Sequence, residues 1–307
     1  MFEMSDTVFF RGMMPIMPTA ITESGELDEE SQRRVVQYCL ECGAVAIGHF
    51  GFASEFHKIS DRQRTRLIQL IVEETADRVP VFVGVTAPSF YETLEYAREA
   101  EALGADMIMA MLPYMEVPGA EESFAFYAAL SDAVSLPIII QDAGHSSSVL
   151  TASLLLRMFE EIEHVKHVKS EGTLFMAKTA QLIEQSEGRL HVIGGAAGKH
   201  LIHMLRLGVT AFMTGTEALD IHAAVVQAYL AGDEEEAARI YFEKVLPYLM
   251  FYMDYSKELL KGMLYRRGVI RCPKVIPPSG RQPMSEIERR EFEWVLNRIG
   301  FPIADSH

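Results

Sequence analysis

The chain repeats one unit, a short apolar run followed by a segment whose apolar positions fall three and four residues apart, which is the pattern of a strand and then an amphipathic helix. Residues 12–21 read as the first strand, a turn follows at 23–26, and the spacing predicts a helix over 28–42. The unit recurs at 44–50 with 61–76, at 79–85 with 91–103, and at 106–112 with 121–134. It continues at 137–141 with 151–162, 165–169 with 175–184, 190–194 with 200–207, and 211–214 with 218–230. Several of the strands are near-continuous apolar runs, as expected of strands covered on both faces in a parallel sheet. Eight such units in roughly 220 residues predict a (β/α)8 TIM barrel, an α/β architecture that typically takes about 250. A doubly wound open sheet is the competing reading, but no glycine-rich fingerprint follows the first strand, where Met13 to Ile21 stand.

The alternation stops at Gly232, and only helical patterns follow, at 234–253, 256–267 and 285–299. The expected organisation is therefore a catalytic barrel over 1–231 and a C-terminal helical region over 232–307 that packs on it. The stretch 245–255, VLPYLMFYMDY, is rich in Met and aromatic residues, so it either packs on the barrel or forms a subunit interface.

Composition narrows the function classes. A net charge of −15 argues against nucleic acid or an anionic membrane surface as a partner, since both attract basic patches. No run approaches the roughly 18 to 20 uncharged apolar residues of a membrane span. The start, MFEMSDTVFFRG, lacks the order of a signal peptide, so a cytoplasmic enzyme is expected. Three cysteines do not make a disulfide framework. Cys39 and Cys42 form a C-x-x-C, but it closes an amphipathic helix with Cys272 remote, so these read as buried small apolar residues.

The chemistry concentrates at the strand ends, where a barrel of this kind builds its active site. Those ends offer Gly51 to Glu55, Pro113 and Tyr114, Gln141 and Asp142, Lys169 and Glu171, and Gly194 and Gly195. Among them Lys169 is the one lysine. Burial disfavours an ammonium ion, and a free amine there is a nucleophile for ketones. An imine so formed withdraws electrons from the adjacent carbon and needs neither metal nor other cofactor. The pairs His164 with His167 and His200 with His203 lack the intervening carboxylate of a zinc hydrolase and read as surface or supporting residues, and GGAAGKH at Gly194 lacks the spacing of a phosphate loop.

The G-x-x-x-E loop at Gly51 to Glu55, the Pro113-Tyr114 pair, the Lys169 strand and the C-terminal helices together resemble the dihydrodipicolinate synthase and N-acetylneuraminate lyase family of Schiff-base aldolases and lyases. The resemblance spans most of the chain. It implies that Lys169 forms the imine, that Ala53 and Ser54 hold the carboxylate of a 2-oxo acid, and that the protein is a homotetramer or homodimer. Departures are as informative. Phe52, Met115 and Gln141 stand where the synthase carries the three hydroxyls of its proton relay, and Ser146 aligns with its semialdehyde-binding arginine. Gln-Asp-Ala after the fifth strand, Ser54-Glu55, Lys169-x-Glu171, and the runs at 25–28, 109–114 and 212–215 instead resemble the branch containing 2-keto-3-deoxy-L-arabonate dehydratase.

This resemblance implies dehydration of a 2-keto-3-deoxy sugar acid, with Lys169, Gln141 and Glu171 as catalytic residues. Glu171 is the candidate acid-base group, with a structural salt bridge as its other reading. Ala53, Ser54, Asp142, Gly194 and Gly195 are the candidate substrate contacts, and no metal is implied. The alternatives are a pyruvate-dependent aldolase of the same family and a non-catalytic barrel that binds 2-oxo acids.

Overall fold

The computed structural model describes residues 8–144, 148–172, 174–280 and 282–302; Ser146 lies outside them. Eight parallel strands appear in chain order: β1 (Gly12–Met13), β2 (Ile47–His49), β3 (Val81–Gly84), β4 (Met107–Ala110), β5 (Ile138–Asp142), β6 (Val165–Ser170), β7 (His191–Gly194) and β8 (Ala211–Phe212). Each is followed by a helix: α1 (Glu29–Glu41), α2 (Asp61–Thr75), α3 (Phe90–Ala102), α4 (Ala120–Ala133), α5 (Ala152–Glu161), α6 (Phe175–Gln185), α7 (Leu201–Arg206) and α8 (Leu219–Leu230). The strands form one sheet in which β8 pairs with β1, so that the order runs β1-β8-β7-β6-β5-β4-β3-β2. The remaining seam closes through a parallel bridge between Ile16 and Gly48 and through the Val45 N–H donating to the Met13 carbonyl at 2.9 Å. This is the (β/α)8 TIM barrel that the repeating unit predicts.

The first strand is much shorter than the predicted 12–21. Pro15 carries no N–H, so one bond of the ladder toward β2 is missing there, but the Ile16 N–H still donates to the Thr214 carbonyl and the Met17 N–H to the Gly48 carbonyl, both at 2.8 Å. The helices, by contrast, begin where local chemistry tells them to. Ser60 and Gln63 form a capping box on α2, and Asp28 and Thr151 accept from the first-turn N–H groups of α1 and α5.

Strand alternation divides the core into two. Met14, Ile16, Phe82, Met109, Ile139 and Ile193 fill the barrel interior, and their strand neighbours pack outward against the helices. His167 belongs to this interior. It is buried, its Nδ1 lies 3.0 Å from His191 Nδ1, and its ring stacks near Phe10, so it is not a surface residue as the sequence suggests. A strand whose every second residue faces inward places position 167 inside, together with 169.

Beyond α8 come α9 (Glu234–Ile240), a π-helical turn at Tyr241–Val245, α10 (Leu246–Arg266) and α11 (Glu286–Arg298). The predicted break between 253 and 256 falls on Tyr255, whose φ of −122° interrupts an otherwise continuous α10. Tyr248, Leu249 and Tyr252 are buried while Met250 and Met253 are exposed, so one face of this aromatic stretch packs on the barrel. No helix among the described residues is long and apolar enough to cross a membrane. Cys39 is buried and Cys42 half-buried, and burial raises both thiols, that of Cys42 to about 11.

Candidate active site

A cavity of about 260 Å³ opens at the carboxyl end of the barrel, lined by Phe52, Ala53, Lys169, Glu171, Ala196 and Tyr252 among others. Its centre is built by strand register. Gln141 on β5 stands directly beside Lys169 on β6, and both share the inward parity of Ile139 and His167. Glu171, two residues past the lysine, keeps that parity because the chain remains paired: the Glu171 N–H donates to the Asp142 carbonyl at 3.2 Å.

Lys169 and Gln141 converge on the Glu171 carboxylate. Lys169 Nζ lies 2.9 Å from Glu171 Oε1, and the Gln141 Nε2 amide donates to the same oxygen at 2.6 Å. The Ala196 N–H donates to Glu171 Oε2 at 3.1 Å. Burial alone would push the Glu171 carboxyl upward, but the Lys169 charge, the Gln141 amide and the Ala196 N–H outweigh it and hold the group below the usual carboxylate range. Lys169 itself is only 5 % exposed. A buried amine beside an ionised carboxylate can give up its proton locally and attack a carbonyl, with the same carboxylate then free to move protons at the adjacent carbon.

The backbone is shaped around this carboxylate. A Cβ on Gly195 would stand 2.6 Å from Glu171 Cβ and 2.7 Å from its Oε2, so only glycine lets the two segments approach. Ala196 and Ala197 follow with φ of 53° and 54°, a left-handed conformation that costs a residue with a side chain and that aims the Ala196 N–H at the carboxylate.

Other expected substrate contacts lie elsewhere. The Ser54 hydroxyl is fully buried; it donates to the Met17 carbonyl at 2.5 Å and accepts from the Phe50 N–H at 3.0 Å, which makes it a clamp on the loop rather than a donor to the cavity. Asp142 follows Gln141 and therefore points to the opposite face, where it pairs with Lys178 of α6 at 2.8 Å. Gly194 also points outward, and its missing side chain makes room for the Phe212 ring. Ala53 does line the cavity.

Glu55 ties the loop after β2 to the C-terminal helices. It is buried, 2.8 Å from both Lys58 and Lys261, and accepts from the Ile276 N–H at 3.1 Å. Burial pushes its carboxyl up, and the Lys261 and Lys58 charges overcome this to hold it low. The cavity wall that sequence reasoning misses comes from Thr214 and Gly215 beyond β8 and from Tyr252, Lys257 and Leu260 of α10. The aromatic stretch 245–255 was the available signal.

The barrel, with a lysine and carboxylate facing one cavity at its carboxyl end, has the form of an aldolase-type lyase, and the relatives agree. The model of the dihydrodipicolinate synthetase family matches residues 9–299. The chain is 33% identical over 305 residues to an L-2-keto-3-deoxyarabonate dehydratase of Azospirillum brasilense, covering 96% of each. It is 27% identical to a 4-hydroxy-tetrahydrodipicolinate synthase of Alkalilimnicola ehrlichii, with 93% of this chain and 96% of the relative covered. A dihydrodipicolinate synthase structure from Thermotoga maritima superposes with a TM-score of 0.86 at 22% identity, over 96% of this chain and all of the other. The protein is an enzyme of the lyase and aldolase class. It belongs to the dihydrodipicolinate synthetase family.

Proposed function

We propose that the enzyme dehydrates a 2-keto-3-deoxy sugar acid through an imine on Lys169. The observation that carries this reading is the convergence of Lys169, Glu171 and Gln141 on one enclosed point. The likeness to an L-2-keto-3-deoxyarabonate dehydratase supports the choice of substrate class. Glu171 accepts the ammonium proton, the amine adds to the C2 ketone, and Glu171 returns that proton to the carbinolamine oxygen, which leaves as water and restores the carboxylate. The substrate carboxylate is placed against the Phe52 and Ala53 N–H groups. These open a helical turn and so have no partner within it, whereas the Ser54 and Glu55 N–H groups donate to Gly51 and Phe52.

With the imine as electron sink, Glu171 removes a C3 proton to give the enamine. Loss of the C4 hydroxyl leaves a C3–C4 double bond conjugated with the imine; in a pentonate a proton shift from C5 to C3 gives the C5 enol, which becomes the aldehyde, and hydrolysis of the imine releases the product. Gln141 keeps the shared oxygen of Glu171 turned toward the lysine. The imine supplies the electron withdrawal, so the chemistry calls for no cofactor. A pyruvate-releasing retro-aldol starts from the same imine, losing the C4 hydroxyl proton and breaking C3–C4 to give the pyruvate enamine and an aldehyde, and the likeness to a 4-hydroxy-tetrahydrodipicolinate synthase keeps that chemistry beside the first. A homotetramer or homodimer in the cytoplasm accompanies this reading.

The test is borohydride trapping with pyruvate, followed by intact-mass and peptide mass measurement. The parent chain should gain one reduced pyruvyl adduct on Lys169, and K169A should gain none. A folded parent chain that binds pyruvate without an adduct would sink the imine. With a 2-keto-3-deoxypentonate, a semialdehyde of intact carbon chain identifies the dehydratase, and pyruvate plus an aldehyde identifies the aldolase.

A further inference from the structure

Behind the cavity wall lies a carboxyl group that the reaction above does not use. Glu217, five residues past β8, is fully buried, and neither of its carboxylate oxygens has a hydrogen-bonding partner among the described residues. Leaving such a group unsatisfied inside a protein is costly, so it is rare without a purpose. Its place is set by Gly215. A Cβ there would meet Glu217 Oε2 at 2.2 Å, Leu260 at 2.9 Å and the Tyr252 hydroxyl at 3.1 Å. The carboxyl thus fills the space that a side chain at 215 would need, and the Tyr252 hydroxyl stands beside that same space. Gly215, Leu260 and Tyr252 all line the cavity, so Tyr252 borders the substrate space and stands beside the gap that Glu217 fills, without a hydrogen bond to it.

The proposed dehydration has a missing part at this spot. Glu171 is ionised and serves as the base, yet hydroxide is a poor leaving group and the C4 oxygen needs a proton as its bond to carbon breaks. Efficient sites of this kind hold two carboxyls in environments that push them apart. Glu171 is held low by the Lys169 charge against the effect of burial, whereas burial pushes Glu217 up to about 7, over the smaller opposing effects of its own N–H dipole and the Arg267 charge. Burial also keeps the Tyr252 hydroxyl protonated, and the Glu171 charge adds to that.

We propose that the Tyr252 hydroxyl is the general acid that protonates the departing C4 hydroxyl, and that Glu217 stands behind it as the residue that returns its proton. This rests on the imine reading above and adds its acid. As C4–O breaks, the phenol proton passes to the leaving oxygen, which departs as water; the phenolate and Glu217 then close on each other across the space that Gly215 leaves open, and the Glu217 proton passes to the phenol oxygen. The C3 proton has gone to Glu171, so the turnover ends with Glu171 protonated and Glu217 ionised, and exchange with water resets both. The charged and titratable groups around Glu217 are Tyr248 and Tyr252 of α10 and Arg267 just beyond it.

E217Q and Y252F in the full chain test this. Borohydride trapping of pyruvate and deuterium loss from its methyl group report the imine and the Glu171 base without any elimination, and both should stay within about twofold of the parent. Dehydration of a 2-keto-3-deoxypentonate should fall on the order of 100-fold or more in each; kcat of the parent should decline with rising pH, and that decline should vanish in E217Q. Dehydration within about threefold of the parent in either folded variant overturns the proposal. So does a parallel loss of the adduct and the exchange, which would make the role structural. If E217Q does not fold, Y252F decides alone. A parent chain that forms no adduct overturns the imine reading itself, and the acid with it.

Discussion

Replacing Glu217 by glutamine should shift the stability difference between variant and parent in favour of the variant as pH rises. Burial lifts this carboxyl from 4.5 to about 7. The native chain therefore keeps a proton that the unfolded chain releases, so this contribution to stability is whole below about pH 4.5 and is lost as pH climbs through about 7. At 1.36 kcal/mol per pKa unit, the loss is on the order of 3 kcal/mol. Solvent screening does not reduce it, since the group is fully buried. For a chain of 307 residues this corresponds to about 5 °C in Tm. The glutamine amide carries its own cost of about 1–3 kcal/mol as an unsatisfied buried group, but that cost is the same at every pH. The measurement is paired thermal scans of parent and E217Q at one scan rate, near pH 5 and near pH 8.5, because a barrel of this size can unfold irreversibly. The difference in Tm should move in favour of E217Q by about 5 °C between the two conditions. A difference that stays constant with pH would refute the assignment of a protonated carboxyl at this position.

Gly195→Ala places a methyl group 2.6 Å from Glu171 Cβ, so the carboxylate must move off Lys169; turnover should drop about 100-fold while circular dichroism and a stability loss of about 1–3 kcal/mol mark a fold that persists. Asp28→Asn tests the acid limb. The Arg271 guanidinium, 2.6 Å away, is the main cause holding Asp28 at about 2, so its stabilisation exists above the unfolded value of 3.8 and is lost as pH falls through about 2. Arg271 is half-exposed, which limits the effect to about 1 kcal/mol. Urea titrations between about pH 5 and pH 2 should show a shallower loss in the variant, and equal slopes would remove the pair from the acid response.

The fold is legible because its signal is repeated: eight apolar runs, each followed by a helical period, leave little room for another architecture. Apolar composition marks where a strand lies but not its length: the first apolar run extends to Ile21, whereas β1 covers Gly12–Met13 with single pairings as far as Met17. The site is legible to the level of strand ends but not of faces. Gln141, Lys169 and Glu171 share one parity and meet, while Asp142 and Gly194 belong to the other and serve the helix layer. Ser54 was misread for a different reason: a hydroxyl in a tight loop can satisfy the backbone, and this one does. The stretch 245–255 flags Tyr252 as an aromatic that packs on something, but which of its residues meets the cavity depends on how α10 docks near the end of β8, which no local pattern encodes.

The departures from the synthase pattern and the second carboxyl bear on one another. Phe52, Met115 and Gln141 remove the three hydroxyls through which the synthase moves protons, and a dehydration moves more protons at the reacting carbons than an imine exchange does. Phe52 now lines the cavity as an apolar wall, and Gln141 spends its amide on orienting Glu171. The phenol at the cavity is supplied instead by the C-terminal region, at Tyr252, with an unpaired carboxyl behind it that any side chain at 215 would displace. Proton traffic has thus moved from the loops of the early strands to the seam between β8 and α10. The C-terminal helices are then part of the chemistry as well as of the packing, and Glu55, through Lys261, is the buried ion pair that fixes α10 where Tyr252 can serve.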